Sequence, residues 1–466
     1  MDLNLILKSQ REAYQEKPMP SLQERRQKLK TIEKILCSNK DSICMALAKD
    51  FGHRSFDESR IAEILPAVDL SKYCRKKLRK WSKPQSRPIP ALYQPAKGKV
   101  IYQPLGVVGI IVPWNYPVYL AFGPLINAIA AGNRAMIKMS EFTPHSGELI
   151  AKLLKDSFAE NEIAVINGGL EVSQAFSKLA FDHLFFTGST KVGKLIMESA
   201  SKNLCPVTLE LGGKSPTIIH PSFDIKDAAK TIAFSKMFNA GQTCVAPDYI
   251  LCPKSKTTEF IAEVKNSVKE HLDSLDSKDL TAIINDLQWQ RLKPYYEQAT
   301  AKGAQAENSH AISDPFANPQ RKLPLILFNN PPQDSLLMEE EIFGPLMPVI
   351  SYDKIEDALD FVNKRPRPLA LYYFDSNKKR SQEILEKTHS GGVCVNECLQ
   401  HVAQHTLPFG GIGPSGMGHY HGQEGFYTFS HAKAIMSRPS FFNSSRMIYP
   451  PYTGWIHKVI NRFLLR

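Results

Sequence analysis

Between Lys99 and Arg134 the chain carries no charged residue. A stretch that long has to be buried, either in lipid or in a large protein core. Pro113, Trp114, Asn115, Tyr116 and Pro117 break it in the middle, and two prolines with an asparagine in five residues make a turn, not the centre of a lipid-exposed helix. The segment therefore predicts a buried strand, a turn and a buried helix. Only a sizeable core accommodates that arrangement, and 466 residues provide one, with room for about three domains or lobes.

The rest of the chain extends the same reading. Up to about Trp81 apolar residues recur at helical spacing among charges, as in Leu22, Leu29, Ile32, Ile35 and Leu36. Ser82 to Pro95 carries four prolines and reads as an extended connector. Strand-like and helix-like segments then alternate. Strands are expected at Gly106–Val112, Arg134–Lys138, Ala164–Asn167 and His183–Phe186, and helices at Tyr119–Ala131 and Pro144–Phe158, the latter opened by Thr143 as its cap. A second cycle begins near Pro206, with a helix over Ile225–Asn239 and a strand over Asp248–Cys252. This rhythm implies βαβ units, a largely parallel sheet, and two α/β lobes with a boundary near residue 210.

Composition narrows the class. Charged residues make up 22% and hydrophobic ones 43%, which excludes a disordered or fibrous chain. Eight cysteines without a Cys-x-x-Cys pair are too sparse for a disulfide framework and read as reduced thiols in a cytoplasmic protein, with no cleavable signal expected. The net charge of +12 has no nucleic-acid recognition module beside it, so nucleic acid is not expected as a partner, and no metal site is expected.

Gly411-Ile-Gly413-Pro-Ser-Gly416 fits the GxGxxG dinucleotide pattern, but six glycines fall between Gly410 and Gly422, so neither a strand leads in nor a helix leads out. It is a loop. His183 to Gly193 is a better phosphate candidate: an apolar strand ends at Thr187, Gly188 makes the turn, Ser189 or Thr190 caps the next helix, and Gly193 lets that helix approach closely. Cys244 follows Gly241-Gln242-Thr243 in a tight turn, where function tends to collect. An ordinary thiol with a pKa of about 8.5 is only ~3% thiolate at neutral pH, so it needs help. Glu210, between Leu209 and Leu211, is the candidate base, since an apolar strand end should raise its pKa towards neutrality.

Together these segments resemble the aldehyde dehydrogenases, and among them the class 3 type that oxidises fatty and aromatic aldehydes. The resemblance rests on Pro113-Trp-Asn115-Tyr-Pro117, Ile137-Lys138-Met-Ser140-Glu141, Phe186-Thr-Gly188-Ser189-Thr190, Glu210-Leu-Gly-Gly-Lys-Ser-Pro216 and Asn239-Ala-Gly-Gln-Thr-Cys244-Val-Ala-Pro-Asp248. It continues through Glu341-Ile-Phe343-Gly-Pro345, Ser390 to Asn396, Leu407 to Gly413, and Ser415-Gly-Met-Gly418-His-Tyr-His421-Gly422. It implies an α/β fold with a Rossmann-type cofactor lobe (residues 1–80 and 107–209), an α/β catalytic lobe (210–403) and a small bridging sheet that pairs protomers (81–106 and 404–440). A homodimer follows from it, as does oxidation of an apolar aldehyde to the acid with NAD or NADP.

By the same resemblance Cys244 is the nucleophile, Asn115 with the Cys244 N–H stabilises the oxyanion, and Glu210 activates the hydrolytic water. Lys138 and Glu141 would hold the adenosine ribose and Glu341 the nicotinamide ribose. Trp114 and Phe343 would pack nearby, and Gly188, Ser189 and Gly193 would take the diphosphate. Met139 replaces the family's usual proline, which leaves the choice between NAD and NADP open. Two rival readings stand beside it: a thiol esterase that uses Cys244 and Glu210 without redox chemistry, and a structural or membrane-coat role that uses the basic C-terminal tail.

Residues 441–466 form a basic tail. From Gly425 onward there is no Asp or Glu. Trp455, Val459 and Phe463 lie beside Ile456, Ile460 and Leu464 on one stripe, with Lys458, Arg462 and Arg466 on another. This predicts a short amphipathic helix, either docked on protein or held as a peripheral contact at a membrane surface, and too short to span one.

Overall fold

The computed structural model describes residues 2–443, 445–446 and 449–463. Strands β1 (Gln85–Arg87) and β2 (Lys97–Pro104) precede β3 (Val107–Ile111), β4 (Arg134–Lys138), β5 (Ile163–Ile166), β6 (His183–Thr187) and β7 (Val207–Glu210). After Glu210 come β8 (Pro216–Ile219), β9 (Tyr249–Pro253), β10 (Gln305–Asn308), β11 (Ile326–Asn329), β12 (Leu346–Tyr352), β13 (Ala370–Phe374) and β14 (Gly392–Val395). The last two are β15 (Gly416–Met417) and β16 (Ser430–Ser437).

They form three sheets. One has six strands in the order β15-β7-β6-β3-β4-β5, parallel except for β15, and one has seven in the order β10-β11-β12-β9-β8-β13-β14, parallel except for β10. The third is β1-β2-β16, antiparallel throughout, with β16 as an exposed edge. Helices cover both faces of the parallel sheets, which is why β3 (Val-Val-Gly-Ile-Ile) and β13 (Ala-Leu-Tyr-Tyr-Phe) are apolar throughout and buried at every position. The uncharged segment becomes β3, a turn and the helix Tyr119–Ala131, of which every residue is buried. The N-terminal third is helical to Trp81.

Three local expectations need correction. The Pro144 helix ends at Lys155, and the Thr143 side chain caps nothing. Its first turn is capped from another helix: Asp50 accepts from the N–H groups of His145 (2.9 Å) and Ser146 (2.8 Å), placing a carboxylate on the positive end of the helix. The Ile225 helix ends at Met237, two residues early, because Asn239 and Ala240 adopt left-handed conformations. In the Gly-rich loop, β15 pairs with the end of β7, Gly416 opposite Glu210, so the loop braces the strand that carries Glu210.

The tail does contain a helix, Trp455–Phe463, with Trp455 and Val459 exposed; Leu464 and Arg466 lie outside the described residues. Among the described residues no helix is long and apolar enough to cross a membrane.

Candidate active site

Two cavities meet at Cys244. One, of about 290 Å³, lies at the carboxyl ends of β3, β6 and β7 and is lined by Trp114, Asn115, Gly188, Glu210, Glu341 and Phe343 among others. The other, of about 200 Å³, opens on the opposite side of the thiol and is apolar and aromatic, with Tyr116, Tyr119, Phe234, Phe238, Phe409 and Tyr420 in its wall.

Backbone geometry presents the thiol. Asn239, Ala240 and Gly241 all have positive φ (52°, 52° and 72°), turning the chain sharply after the Ile225–Met237 helix. Left-handed residues other than glycine are strained, and here side chains hold them. Asn239 Nδ2 donates to the carbonyls of Asn115 (3.1 Å) and Gln242 (3.2 Å). Gln242 Nε2 donates to the carbonyls of Asn239 (3.0 Å) and Ala282 (3.1 Å), while Gln242 Oε1 accepts from the Ile284 N–H. The hydroxyls of Thr243 and Tyr116 are 2.6 Å apart.

Asn115 spends one amide hydrogen on the Gln242 carbonyl at 3.2 Å and keeps the other as a donor beside the thiol. Its turn is anchored by a pair that sequence reasoning missed. Arg54 and Glu63, both fully buried, form an ion pair. Glu63 also accepts from the N–H groups of Val118 (2.7 Å) and Tyr119 (3.1 Å), capping the buried helix, and Arg54 reaches the Asn115 carbonyl at 3.5 Å. No local signal ties this pair to the turn, because Arg54 and Asn115 are 61 residues apart.

Three ionisable groups in the cavity wall, Cys244, Glu210 and Glu341, are shifted upward. Burial pushes the Cys244 thiol to about 12, helped by the Glu341 and Glu210 carboxylates and opposed by its own and the Val245 N–H. Burial raises Glu210 well above the usual carboxylate range, and neither of its oxygens has a partner among the described residues. Glu341 is raised to about 7, chiefly by burial, with the Gly213 N–H opposing. Glu341 lies so close over Gly212 that a Cβ there would stand 2.2 Å from its Oε2.

The Glu341 loop is clamped by groups whose roles the sequence did not announce. Arg291 donates to the carbonyls of Ile342 (2.8 Å) and Phe343 (3.2 Å). Asp248 accepts from the Ile342 N–H (3.0 Å), and Lys214, ion-paired with Asp248, donates to the Leu337 and Glu340 carbonyls. Lys214 and Asp248 do stand inside the quoted motifs, but nothing in those motifs says that they meet.

The first cavity suits the diphosphate part of a dinucleotide. Gly188 and Ser189 line it at the start of the helix Thr190–Ser201, whose first turn carries no acidic residue and which Ser189 caps through the Val192 N–H. Free N–H groups at such a terminus suit a diphosphate. Thr187 Oγ1, buried and without a partner among the described residues, lines the same wall. Trp114 meets the Phe343 ring edge-on at 5.3 Å. Gly193 lies one turn further along, where a Cβ would meet Leu211 at 2.6 Å. Lys138 and Glu141 are not brought into this cavity. They sit at the end of β4, with Lys138 Nζ donating to the Met139 carbonyl (2.7 Å) and 3.9 Å from the Glu141 carboxylate.

A doubly wound α/β enzyme with a nucleotide cleft on one sheet, and a half-buried thiol facing both that cleft and an apolar pocket, is the class that fold and site define. The chain belongs to the Aldehyde dehydrogenase family, which it matches over residues 1–435. It is 52% identical over 465 residues to a protein of Pseudomonas aeruginosa named a probable coniferyl aldehyde dehydrogenase, covering 100% of this chain and 96% of that one. It is 38% identical over 454 residues to a rat aldehyde dehydrogenase described as dimeric and NADP-preferring, covering 96% and 97%. Among solved structures it is similar to the substrate-bound state of Staphylococcus aureus AldH, with a TM-score of 0.93, 37% identity and all of both chains covered. The protein is thus an oxidoreductase that oxidises an aldehyde to its acid with a nicotinamide dinucleotide.

Proposed function

We propose that Cys244 attacks the aldehyde carbon, and that the substrate is an aryl aldehyde of the coniferyl type. The observation that carries the reading is the thiol's position between two cavities, with a partnerless carboxyl group in the same wall. The aldehyde enters through the aromatic cavity, where a planar ring packs well against Phe234, Phe238 and Phe409. The name of the Pseudomonas aeruginosa relative points to the same chemistry.

In the first step Cys244 Sγ bonds to the carbonyl carbon, and the developing oxyanion receives the spare Asn115 amide hydrogen and the Cys244 N–H. A nicotinamide, when bound in the first cavity, accepts hydride. Gly188 and Ser189 would hold its diphosphate, Glu341 its nearer ribose, and Trp114 and Phe343 would pack beside it. Loss of hydride leaves a thioester on Cys244. Glu210, which burial raises well above the usual carboxylate range, is the base that takes a proton from the hydrolytic water. Lys138 and Glu141 would meet the adenosine end, beyond that cavity. The exposed β16 edge is the surface assigned to protomer pairing, which sedimentation would test.

The test is cofactor reduction with NAD and NADP separately, using cinnamaldehyde, coniferyl aldehyde and a long-chain aldehyde, beside Cys244→Ala. Reduction that disappears in the variant supports the reading. Ester cleavage at Cys244 with no reduction for any aldehyde would favour the non-redox alternative and sink this one.

A further inference from the structure

Tyr420 and His421, at the exit of the Gly-rich loop, have no part in the reaction as described. Gly416 pairs with Glu210, and the chain then returns to the core through a bridge between Tyr420 and Phe409. Tyr420 is 1% exposed, and its ring is fixed edge-on by Phe185 (4.9 Å), Phe409 (5.9 Å) and His421 (4.3 Å). The ring packs against Gly123 of the buried helix, where a Cβ would stand 3.6 Å away in ordinary contact.

Three phenols line the aromatic cavity with Cys244. Two are engaged, Tyr116 with Thr243 Oγ1 at 2.6 Å and Tyr119 with His421 Nε2 at 3.0 Å. The hydroxyl of Tyr420 makes no hydrogen bond to a described residue, and the acidic groups it senses are Tyr119, Glu210 and Cys244. Buried phenols ordinarily find a partner. Glu210, whose two oxygens have no partner among the described residues, and Tyr420 thus each line a cavity that Cys244 also lines, on segments joined by strand pairing.

Building on the function proposed above, we propose that Tyr420 is a positioning residue for thioester hydrolysis, holding the attacking water between its hydroxyl oxygen and the Glu210 carboxylate. The water donates one hydrogen to each, which aims a lone pair at the acyl carbon. Its oxygen then bonds to that carbon, and the C–S bond breaks with its electron pair returning to Cys244 Sγ. The transferred proton passes to Glu210 and from there to the thiolate or solvent. Nothing is oxidised or reduced in this step, and Tyr420 keeps its own proton.

The experiment is Tyr420→Phe in the full chain, with cinnamaldehyde and the preferred cofactor, run beside wild type and Glu210→Gln. Stopped-flow reduction should show a burst of one equivalent per site at the wild-type rate, followed by a steady state slowed about tenfold, the scale of one lost hydrogen bond. Intact mass should show an acyl group accumulating on the protein. Hydroxylamine, which attacks thioesters without a general base, should restore turnover. Tyr420→His, which keeps a ring and a polar atom, should recover part of the steady-state rate. A steady state equal to wild type with no acyl adduct would overturn the inference, as would a burst and steady state that fall together without hydroxylamine rescue. Absence of reduction by wild type would instead refute the proposed function itself.

Discussion

Replacing Glu63 by glutamine tests whether a buried charge pair far from the thiol holds the site in shape. The Arg54 guanidinium is fully buried, and its Nε and Nη2 have no hydrogen-bond partner among the described residues. What neutralises it is Glu63, with Glu58 further off at 3.5 Å and the faces of Phe51 (4.8 Å) and Tyr116 (5.1 Å) around it. The amide oxygen of the substituted side chain would still accept from Val118 or Tyr119, so the loss is chiefly the charge. Removing one partner of such a pair costs about 3–5 kcal/mol, because the other charge stays buried, and that is a large share of a total stability of about 5–15 kcal/mol.

The first transition in guanidinium denaturation should shift accordingly. The double variant Arg54→Met with Glu63→Gln, which removes both charges of the pair, should recover most of the loss. The burst amplitude per titratable thiol should fall in the single variant, since Arg54 and Glu63 both support the turn that carries Asn115. A Glu63→Gln protein within about 1 kcal/mol of wild type would refute the reasoning, since it would mean that Arg54 is already satisfied without Glu63.

Glu210→Gln should retain a single burst of cofactor reduction and lose about 10²–10⁴-fold in steady-state turnover, read by stopped flow. With its thiol pushed up to about 12, Cys244 should be alkylated by iodoacetamide about tenfold faster per pH unit from pH 8 to 10, without a plateau. Glu341→Gln should speed that alkylation at fixed pH, because its carboxylate opposes the thiolate more strongly than that of Glu210 does. As Glu341 titrates near 7 and only its ionised form is a full acceptor for a ribose hydroxyl, NAD binding by calorimetry should weaken as pH falls below 7. Glu341→Gln should abolish that dependence.

The strands and helices were legible because burial writes itself locally. The all-apolar β3 and β13 and the uncharged helix at Tyr119 follow from period and composition, and Pro113 to Pro117 from proline geometry. The motifs around Glu210 and Cys244 carry the family resemblance by themselves. Beyond their reach lay every partnership between distant segments. Asp50 capping a helix that begins near residue 144, Glu63 starting the helix at Tyr119, β15 lying along the Glu210 strand and Glu341 pressing on Gly212 each join residues far apart in the chain. The upward shifts at Cys244 and Glu341 belong with them, because desolvation depends on what the folded chain stacks around a group. Sequence order encodes φ/ψ preference and which faces are apolar; which charge meets which, and how dry the meeting place is, arises only when the sheets and helices pack.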